Sequence, residues 1–136
     1  MSHLNFKPEE RLKHNKLIGQ VFKEGTTIVG YPLRFLFITV NKDLSEQSKV
    51  AFSVPKRIFK SAVDRNLLRR RMRESYRLEK ENYYHFTKES NIIYLGMFIY
   101  VAKEKLAYED IHKAIVKILA KWQKQVQKNH SAQIND

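Results

Sequence analysis

The sequence predicts a small α+β domain, a two-layer sandwich in which helices cover a β-sheet. Three observations lead to this prediction: a length of 136 residues, a 43% hydrophobic content that suits a real core, and apolar spacings that switch between helical and alternating periods. The element order is α-β-β-α-β-α, to which a further short strand near residues 27–29 can be added. We expect one domain over residues 1–128 and a frayed tail over residues 129–136, where the periodicity is lost.

The first half of the chain contains one helix and two strands. Apolar residues recur at helical spacing over residues 13–24, and Gly25 directly follows as a stop. Residues 33–40 are rich in β-formers and predict a strand. Residues 49–54 alternate with period two, which places Val50, Phe52 and Val54 on one face. Pro55 ends this strand because proline cannot continue the hydrogen-bond ladder.

The second half predicts a helix, a buried strand and a last helix. Residues 61–83 contain no Gly or Pro and are dominated by good helix formers. Residues 91–101 form a nearly continuous apolar run with many β-branched and aromatic residues, which favours a buried strand. Residues 107–127 carry a regular apolar stripe, with Glu109 and Asp110 in the first turn, as the helix dipole prefers.

Composition excludes several classes of protein. There is no cysteine, so disulfide frameworks, thiol catalysis and Cys-based metal sites are ruled out. The apolar run at residues 92–102 is too short to span a bilayer. With 26 Lys+Arg against 14 Asp+Glu, the formal net charge is +12. We therefore expect a cytoplasmic protein that binds a polyanion, and nucleic acid is the default polyanion.

The positive charge is concentrated between residues 56 and 77. Nine basic residues lie there and only Asp64 and Glu74 oppose them. Arg65, Arg69 and Arg73 are spaced by four, and Arg77 continues the row, so like charges stack along one ridge of the predicted helix. A solvated helix face would normally carry more acidic partners. The density of guanidinium groups, whose planar fork suits phosphate oxygens, predicts an outward-facing ridge that binds an external anion.

Two adjoining segments resemble a known family. Phe52-Ser53-Val54-Pro55-Lys56-Arg57, followed by Ala62-Val63-Asp64-Arg65-Asn66-Leu67-Leu68-Arg69-Arg70-Arg71-Met72-Arg73-Glu74, is similar to the protein subunit of bacterial ribonuclease P. The resemblance covers about residues 8–125. The chain departs from the family pattern at Leu67, where the family has Arg, at Ile18, where many members have an aromatic residue, and in a longer loop at residues 58–61 that lacks the common Gly.

The resemblance implies a fold, partners and sites. The fold would be a small α+β sandwich with a left-handed β-α-β crossover. The partners would be the catalytic RNA of ribonuclease P and the 5′ leader of precursor tRNA, bound by a subunit that is monomeric when free. The RNA would perform the hydrolysis with Mg²⁺ held by RNA and substrate. The motif positions assigned to RNA binding are Lys56, Arg57, Arg65, Asn66, Arg69, Arg70 and Arg73.

The same resemblance implies a cleft between the N-terminal helix and the sheet, where aromatic rings stack on leader bases. Phe22, Phe35 and Phe37 are the candidates. Such stacking tolerates many sequences and contributes about 1–3 kcal/mol per base. Considered without the resemblance, core packing remains open for Phe22 and is favoured for Phe35 and Phe37, because alternation cannot show which sheet face is covered.

No catalytic group and no metal site is predicted for the protein itself. The five histidines lack metal-ligand spacing, and nucleophile and phosphate-loop motifs are absent from the sequence. A ribosomal or other structural RNA-binding protein is the main alternative, which composition alone does not exclude. Helix-turn-helix DNA binding is disfavoured because no compact helix pair is predicted, and membrane binding because the basic helix lacks a large apolar face.

Overall fold

Four strands form one mixed sheet in the computed structural model, which describes residues 19, 23–41 and 48–135. The strands are β1 (Thr26–Gly30), β2 (Leu33–Asn41), β3 (Lys49–Ser53) and β4 (Ile92–Tyr100). They lie in the order β1-β2-β4-β3, with β2 antiparallel to β1 and β4, and β3 parallel to β4. The predicted α+β class is confirmed, and the additional short strand is β1.

Three helices follow in the described part of the chain: α1 (Ala62–Glu79), α2 (Tyr84–Ser90) and α3 (Tyr108–Asn135). A 3-10 turn at Lys80–Tyr83 links α1 to α2, so the predicted single helix over residues 61–83 is divided. Helix α2 was not predicted from the sequence. It ends at Asn91, whose left-handed φ of 56° turns the chain into β4.

The final helix is longer than predicted. It extends to Asn135, beyond the predicted end near residue 127, whereas the frayed tail over residues 129–136 stays a prediction. The physical reason is local, because neither Gly nor Pro occurs after Gly96 to break the helix.

The predicted N-terminal helix falls mostly outside the described residues. Lys23 and Glu24 are helical, and the helix ends before Gly25, where the sequence places its stop. Leu17, Ile18, Val21 and Phe22 lie outside the described residues.

The parallel pair β3–β4 requires a crossover connection, which α1 provides together with the 3-10 turn and α2. Helix α1 packs beside α3, and both helices lie on one face of the sheet, α1 over β3 and α3 over β1 and β2. The described domain therefore has a helix-covered sheet face and an opposite face. The left hand of the crossover remains a prediction.

The core lies between the sheet and the two long helices. Phe35, Phe37 and Phe98 are buried there with stacked rings, at centroid distances of 4.9 Å for Phe35–Phe37 and 4.3 Å for Phe35–Phe98. Gly96 makes this stack possible, because a Cβ at that position would lie 2.7 Å from the Phe37 Cβ and 2.9 Å from the Phe35 ring. A glycine inside a central strand therefore has a packing reason here.

Both helices are anchored by large side chains. Helix α1 buries Leu68, Met72 and Tyr76, and α3 buries a stripe centred on Trp122, whose indole N–H donates to the Thr39 hydroxyl at 3.0 Å. Each such side chain contributes about 1.5–3 kcal/mol on burial. No helix in the described residues is long and apolar enough to cross a membrane.

Candidate nucleic-acid interface

The loop between β3 and α1 is held in a defined shape by its backbone and one aromatic anchor. The amides of Ile58 and Phe59 donate to the Pro55 carbonyl at 3.1 and 3.2 Å. The Phe59 ring is buried and contacts Tyr100 edge-on at 5.7 Å. Lys56 and Arg57 therefore project into solvent from a turn whose backbone is fixed.

Helix α1 begins directly after this loop with a side-chain cap. The Ser61 hydroxyl accepts a hydrogen bond from the Asp64 amide at 3.4 Å, the usual N-cap geometry. The loop cations are thereby placed at the amino end of the basic helix.

The Arg65 side chain binds the backbone of the loop and does not project freely into solvent. One guanidinium nitrogen, Nη1, donates to the carbonyls of Phe59 and Lys60, at 2.8 Å in both cases. These bonds link the first turn of α1 to the loop, and the guanidinium is half-buried. The sequence prediction of an outward-facing row of guanidiniums is thus wrong for its first member.

The geometry of the row explains why its members differ. Residues four apart on an α-helix are rotated by about 40° relative to each other, so the row drifts around the helix. Arg65 lies at the border of the buried face, and Arg69 is half-buried with Nη2 donating to Asn66 Oδ1 at 2.6 Å. Arg73 is exposed. Asn66 is exposed on the helix surface, and its side-chain oxygen orients the Arg69 guanidinium.

Four cations among the predicted motif residues are exposed, and their side chains make no hydrogen bond or ion pair within the described residues. We call them the loop–α1 surface: Lys56, Arg57, Arg70 and Arg73. A cation without an internal partner keeps its full donor capacity for a phosphate. Five of the seven sequence-predicted RNA-binding residues thus lie exposed, these four and Asn66, whereas Arg65 and Arg69 are half-buried with internal partners.

Two other basic residues near this surface have structural partners. Arg71 Nη1 donates to the Leu106 carbonyl at 2.6 Å, and Lys105 Nζ lies 3.2 Å from Asp64 Oδ1. Both contacts fasten α1 to the segment between β4 and α3. Neither contact could be predicted from local patterns, because the partners are separated by 35 and 41 positions.

The last arginine of the row is neutralised locally. Arg77 forms an exposed ion pair with Glu74 one helical turn before it. The hydrogen bond from Arg77 lowers the pKa of the Glu74 carboxyl below its ordinary value. The positive field of α1 is therefore strongest in its first three turns.

The sheet places Phe35 and Phe37 on its helix-covered face. Their exposed fractions are 0% and 3%, so neither ring can stack on a nucleotide in this structure. Their predicted role in leader binding is therefore corrected to packing in the core. The alternate residues of β2 point to the opposite face of the sheet. Phe22, the third candidate, lies outside the described residues.

The opposite sheet face has its own chemical character. Ile93, Leu95 and Ile99 of β4 are buried there, although they lie outside the main core cluster. Leu36 is half-buried and Arg34 is exposed on the neighbouring β2. Arg34 offers an exposed cation on this face and Leu36 a half-covered apolar contact, which suits a single strand that presents both phosphates and bases.

The described residues contain no group of three or more His, Cys, Asp or Glu side chains that could hold a metal ion. Among the described residues, one contact between a histidine and a carboxylate joins α1 to α3, where His112 Nε2 lies 4.0 Å from Glu79 Oε2. Neither side chain lies in the loop–α1 surface. His3 and His14 fall outside the described residues, and the side chain of His130 is not described.

The comparisons with known proteins agree with this architecture. The family model described as Ribonuclease P matches residues 6–123. The chain is 34% identical over 110 residues to a ribonuclease P protein component of Porphyromonas gingivalis, covering 81% of this chain and 80% of that protein. It is 31% identical over 104 residues to the corresponding protein of Chlorobium phaeobacteroides, covering 74% and 71%.

Solved structures show the same fold. The Staphylococcus aureus RNase P protein superposes with a TM-score of 0.58 at 15% identity, covering 88% of this chain and 94% of that one. The Thermotoga maritima RNase P protein gives a TM-score of 0.57 at 18% identity, covering 75% and 87%. At these identities the likeness concerns the arrangement of strands and helices.

Proposed function

The chain belongs to the ribonuclease P protein family, the protein component of a tRNA-processing endoribonuclease that pairs with an RNA subunit, and we propose that it binds this RNA through the loop–α1 surface. The observation that carries the proposal is the set of exposed, internally unpaired cations on a rigid loop and the helix that follows it. Their backbone is fixed before binding, so little conformational entropy is lost when phosphates dock.

Positioning residues support this surface. Arg65 fixes the loop carbonyls and Asn66 orients Arg69, so these two motif residues act partly through the protein itself. The direct phosphate contacts are then made chiefly by Lys56, Arg57 and Arg73, together with Arg70.

We place the 5′ leader of precursor tRNA on the sheet face opposite the helices. The half-buried Leu36 and the exposed Arg34 of β2 support this placement, since a single strand offers both bases and phosphates. Phe22 remains a candidate for stacking, whereas Phe35 and Phe37 are withdrawn because they are buried.

In this proposal the RNA subunit carries out phosphodiester hydrolysis, with Mg²⁺ held by RNA and substrate. The protein contributes cations that offset the repulsion between two polyanions, and so raises substrate affinity and the occupancy of metal sites on the RNA. We further propose that the free subunit is a monomer and works in the cytoplasm.

Reconstitution tests the function. The purified chain is mixed with a bacterial ribonuclease P RNA, and cleavage of a precursor tRNA is followed at a Mg²⁺ concentration too low for the RNA alone. We expect 5′-leader removal to be restored, and Arg70→Ala plus Arg73→Ala to weaken the rescue. Glu109→Gln, in the first turn of α3, is the surface control.

The main alternative is a structural RNA-binding protein with no role in cleavage. Tight RNA binding without rescue by any of several ribonuclease P RNA types would favour that alternative and contradict the proposal.

A further inference from the structure

Helix α3 carries a second set of cations that the proposed function does not use. Five lysines follow one another at intervals of four, four, three and four residues, and all five are exposed. We call them the lysine face: Lys113, Lys117, Lys121, Lys124 and Lys128. At 3.6 residues per turn they fall within an arc of about 80° and extend over about 22 Å.

The lysine face is turned away from α1. Helix α3 contacts α1 on the side of His112, which faces Glu79. On its other side, Ile118 packs against Gly30, and Lys121 Nζ lies 3.4 Å from the Val29 carbonyl of the edge strand β1. The lysines therefore border the β1 edge of the domain, whereas the loop–α1 surface belongs to the β3 side.

Helix stability does not account for this arrangement. Lysines spaced by four repel one another, and no acidic residue follows Asp110 in α3 to relieve the repulsion. The helix dipole favours cations only in the last turn, and Lys113 and Lys117 lie in the first half of the helix. Within the described residues, the lysine face has no ion pair.

We propose that the lysine face is a second RNA-binding surface, which contacts phosphates of an RNA segment different from the one on the loop–α1 surface. This inference rests on the proposed function, because the RNA partner supplies the polyanion. Lysine ammonium groups are point charges that contact phosphates without reading bases, so the contact is independent of sequence.

The chemistry of α3 favours RNA over a lipid surface. A membrane-binding helix needs large apolar side chains beside its cations. None of the exposed large apolar residues in the described part of the chain lies on α3.

The salt dependence of RNA binding tests the inference. Affinity for a full-length bacterial ribonuclease P RNA transcript is measured at several salt concentrations for the unmodified chain and for Lys117→Gln plus Lys124→Gln. Each lost phosphate contact lowers the slope of log K against log[salt] by about 0.7–0.9. For two lost contacts we expect the slope to be less steep by about 1.4–1.8 and the affinity near 0.1 M salt to be weaker by more than about tenfold.

Two control variants distinguish a contact at the lysine face from a general effect of the net charge on RNA binding. Lys88→Gln plus Lys103→Gln removes the same charge from exposed positions outside both surfaces and should change the slope by less than half as much. Lys117→Arg plus Lys124→Arg keeps the charge and should retain the full slope. Equal thermal midpoints for all variants show that folding is intact.

Site-directed cleavage locates the RNA segment. The chain has no cysteine, so a single introduced thiol can carry an iron–EDTA group. A tether at Gln125→Cys beside the lysine face should cut a different RNA segment from a tether at Val63→Cys on α1, where the side chain is 77% exposed.

The outcomes are distinct. An unchanged slope for Lys117→Gln plus Lys124→Gln, with a reduced slope for Arg70→Ala plus Arg73→Ala, would overturn this inference and leave the proposed function standing. Absence of RNA binding by the unmodified chain would remove both. If Lys117→Gln plus Lys124→Gln abolished binding to anionic phosphatidylserine vesicles and left RNA binding unchanged, the assignment to RNA would also be overturned.

Discussion

Helices α1 and α3 lie side by side on the same sheet face, and both are basic, but they use their cations differently. In α1 the arginines are shared between the protein and the solvent: Arg65 and Arg71 hold backbone carbonyls, and Arg77 pairs with Glu74. In α3 the exposed cations are lysines, and within the described part of the chain only Lys121 has a side-chain hydrogen bond.

The difference follows from side-chain chemistry. The guanidinium group offers five donors in a rigid fork, so Arg65 can satisfy two carbonyls and keep its charge. An ammonium group on a flexible chain gains little from such contacts and stays hydrated. A dense row of arginines therefore stabilises the local backbone through hydrogen bonds and also adds positive charge, whereas a row of lysines adds only positive charge.

The largest loss of stability is expected from a substitution in the core that both helices share. Trp122→Ala should lower the free energy of unfolding by about 3–5 kcal/mol, because it leaves a large cavity and frees the Thr39 hydroxyl. Denaturant unfolding followed by circular dichroism measures this. A loss below 1 kcal/mol would mean that α3 is not anchored by this ring, and the comparison of two fixed helices would lose its basis.

The next effect concerns the structural use of arginine. Arg65→Ala should cost about 1–2 kcal/mol in the free energy of unfolding, through loss of the bonds to Phe59 and Lys60. Arg65→Lys should recover RNA affinity more fully than stability, since it restores the charge without the fork. Equal recovery of both quantities would contradict the division of roles.

A smaller effect is expected on the inner side of α1 at alkaline pH. Burial raises the pKa of both Tyr76 and Tyr94, whose hydroxyls share a 2.8 Å hydrogen bond. Because the folded pKa lies above the unfolded value of about 10, the contribution is complete below pH 10 and is lost as pH rises through the folded pKa. Urea midpoints measured from pH 8 to 11 should fall above pH 10, and Tyr76→Phe should reduce that fall. A fall of the same size in both proteins would exclude this pair as its cause.

The smallest effect is expected at the ion pair of α1. Glu74→Gln should leave the free energy of unfolding nearly unchanged, because the pair with Arg77 is exposed. It should also strengthen RNA binding a few-fold by releasing the Arg77 guanidinium. Filter-binding measurements at fixed salt decide this, and weaker binding would show that Glu74 supports the surface.

Much of the fold could be predicted because local patterns decided it. The alternation in β3 placed Val50 and Phe52 on the core side, and Pro55 marked the end of the strand. The break in the helix at Lys80–Tyr83 could not be predicted, because no Gly or Pro marks it. The end of α3 was placed too early for a related reason: loss of the apolar stripe does not stop a helix that contains no breaker.

The residue types of the candidate site could be predicted from the sequence, but the roles of the individual residues could not be predicted equally well. Charge density identified the basic region, but spacing by four suggested one uniform ridge, whereas helical drift makes Arg65 and Arg73 unlike. Alternation in β2 gave two possible faces for Phe35 and Phe37, and only the position of α1 and α3 shows which one is covered. Contacts such as Arg71 with Leu106 depend on tertiary structure and leave no local signal.

The central claim is that exposed arginines of α1 bind the RNA subunit while contributing nothing to the fold. The most direct measurement compares Arg70→Ala plus Arg73→Ala with the unmodified chain, determining affinity for ribonuclease P RNA and the free energy of unfolding on the same preparations. We predict an affinity loss of about tenfold or more with unfolding unchanged within about 0.5 kcal/mol. Unchanged affinity, or a loss that merely follows reduced stability, would contradict the account.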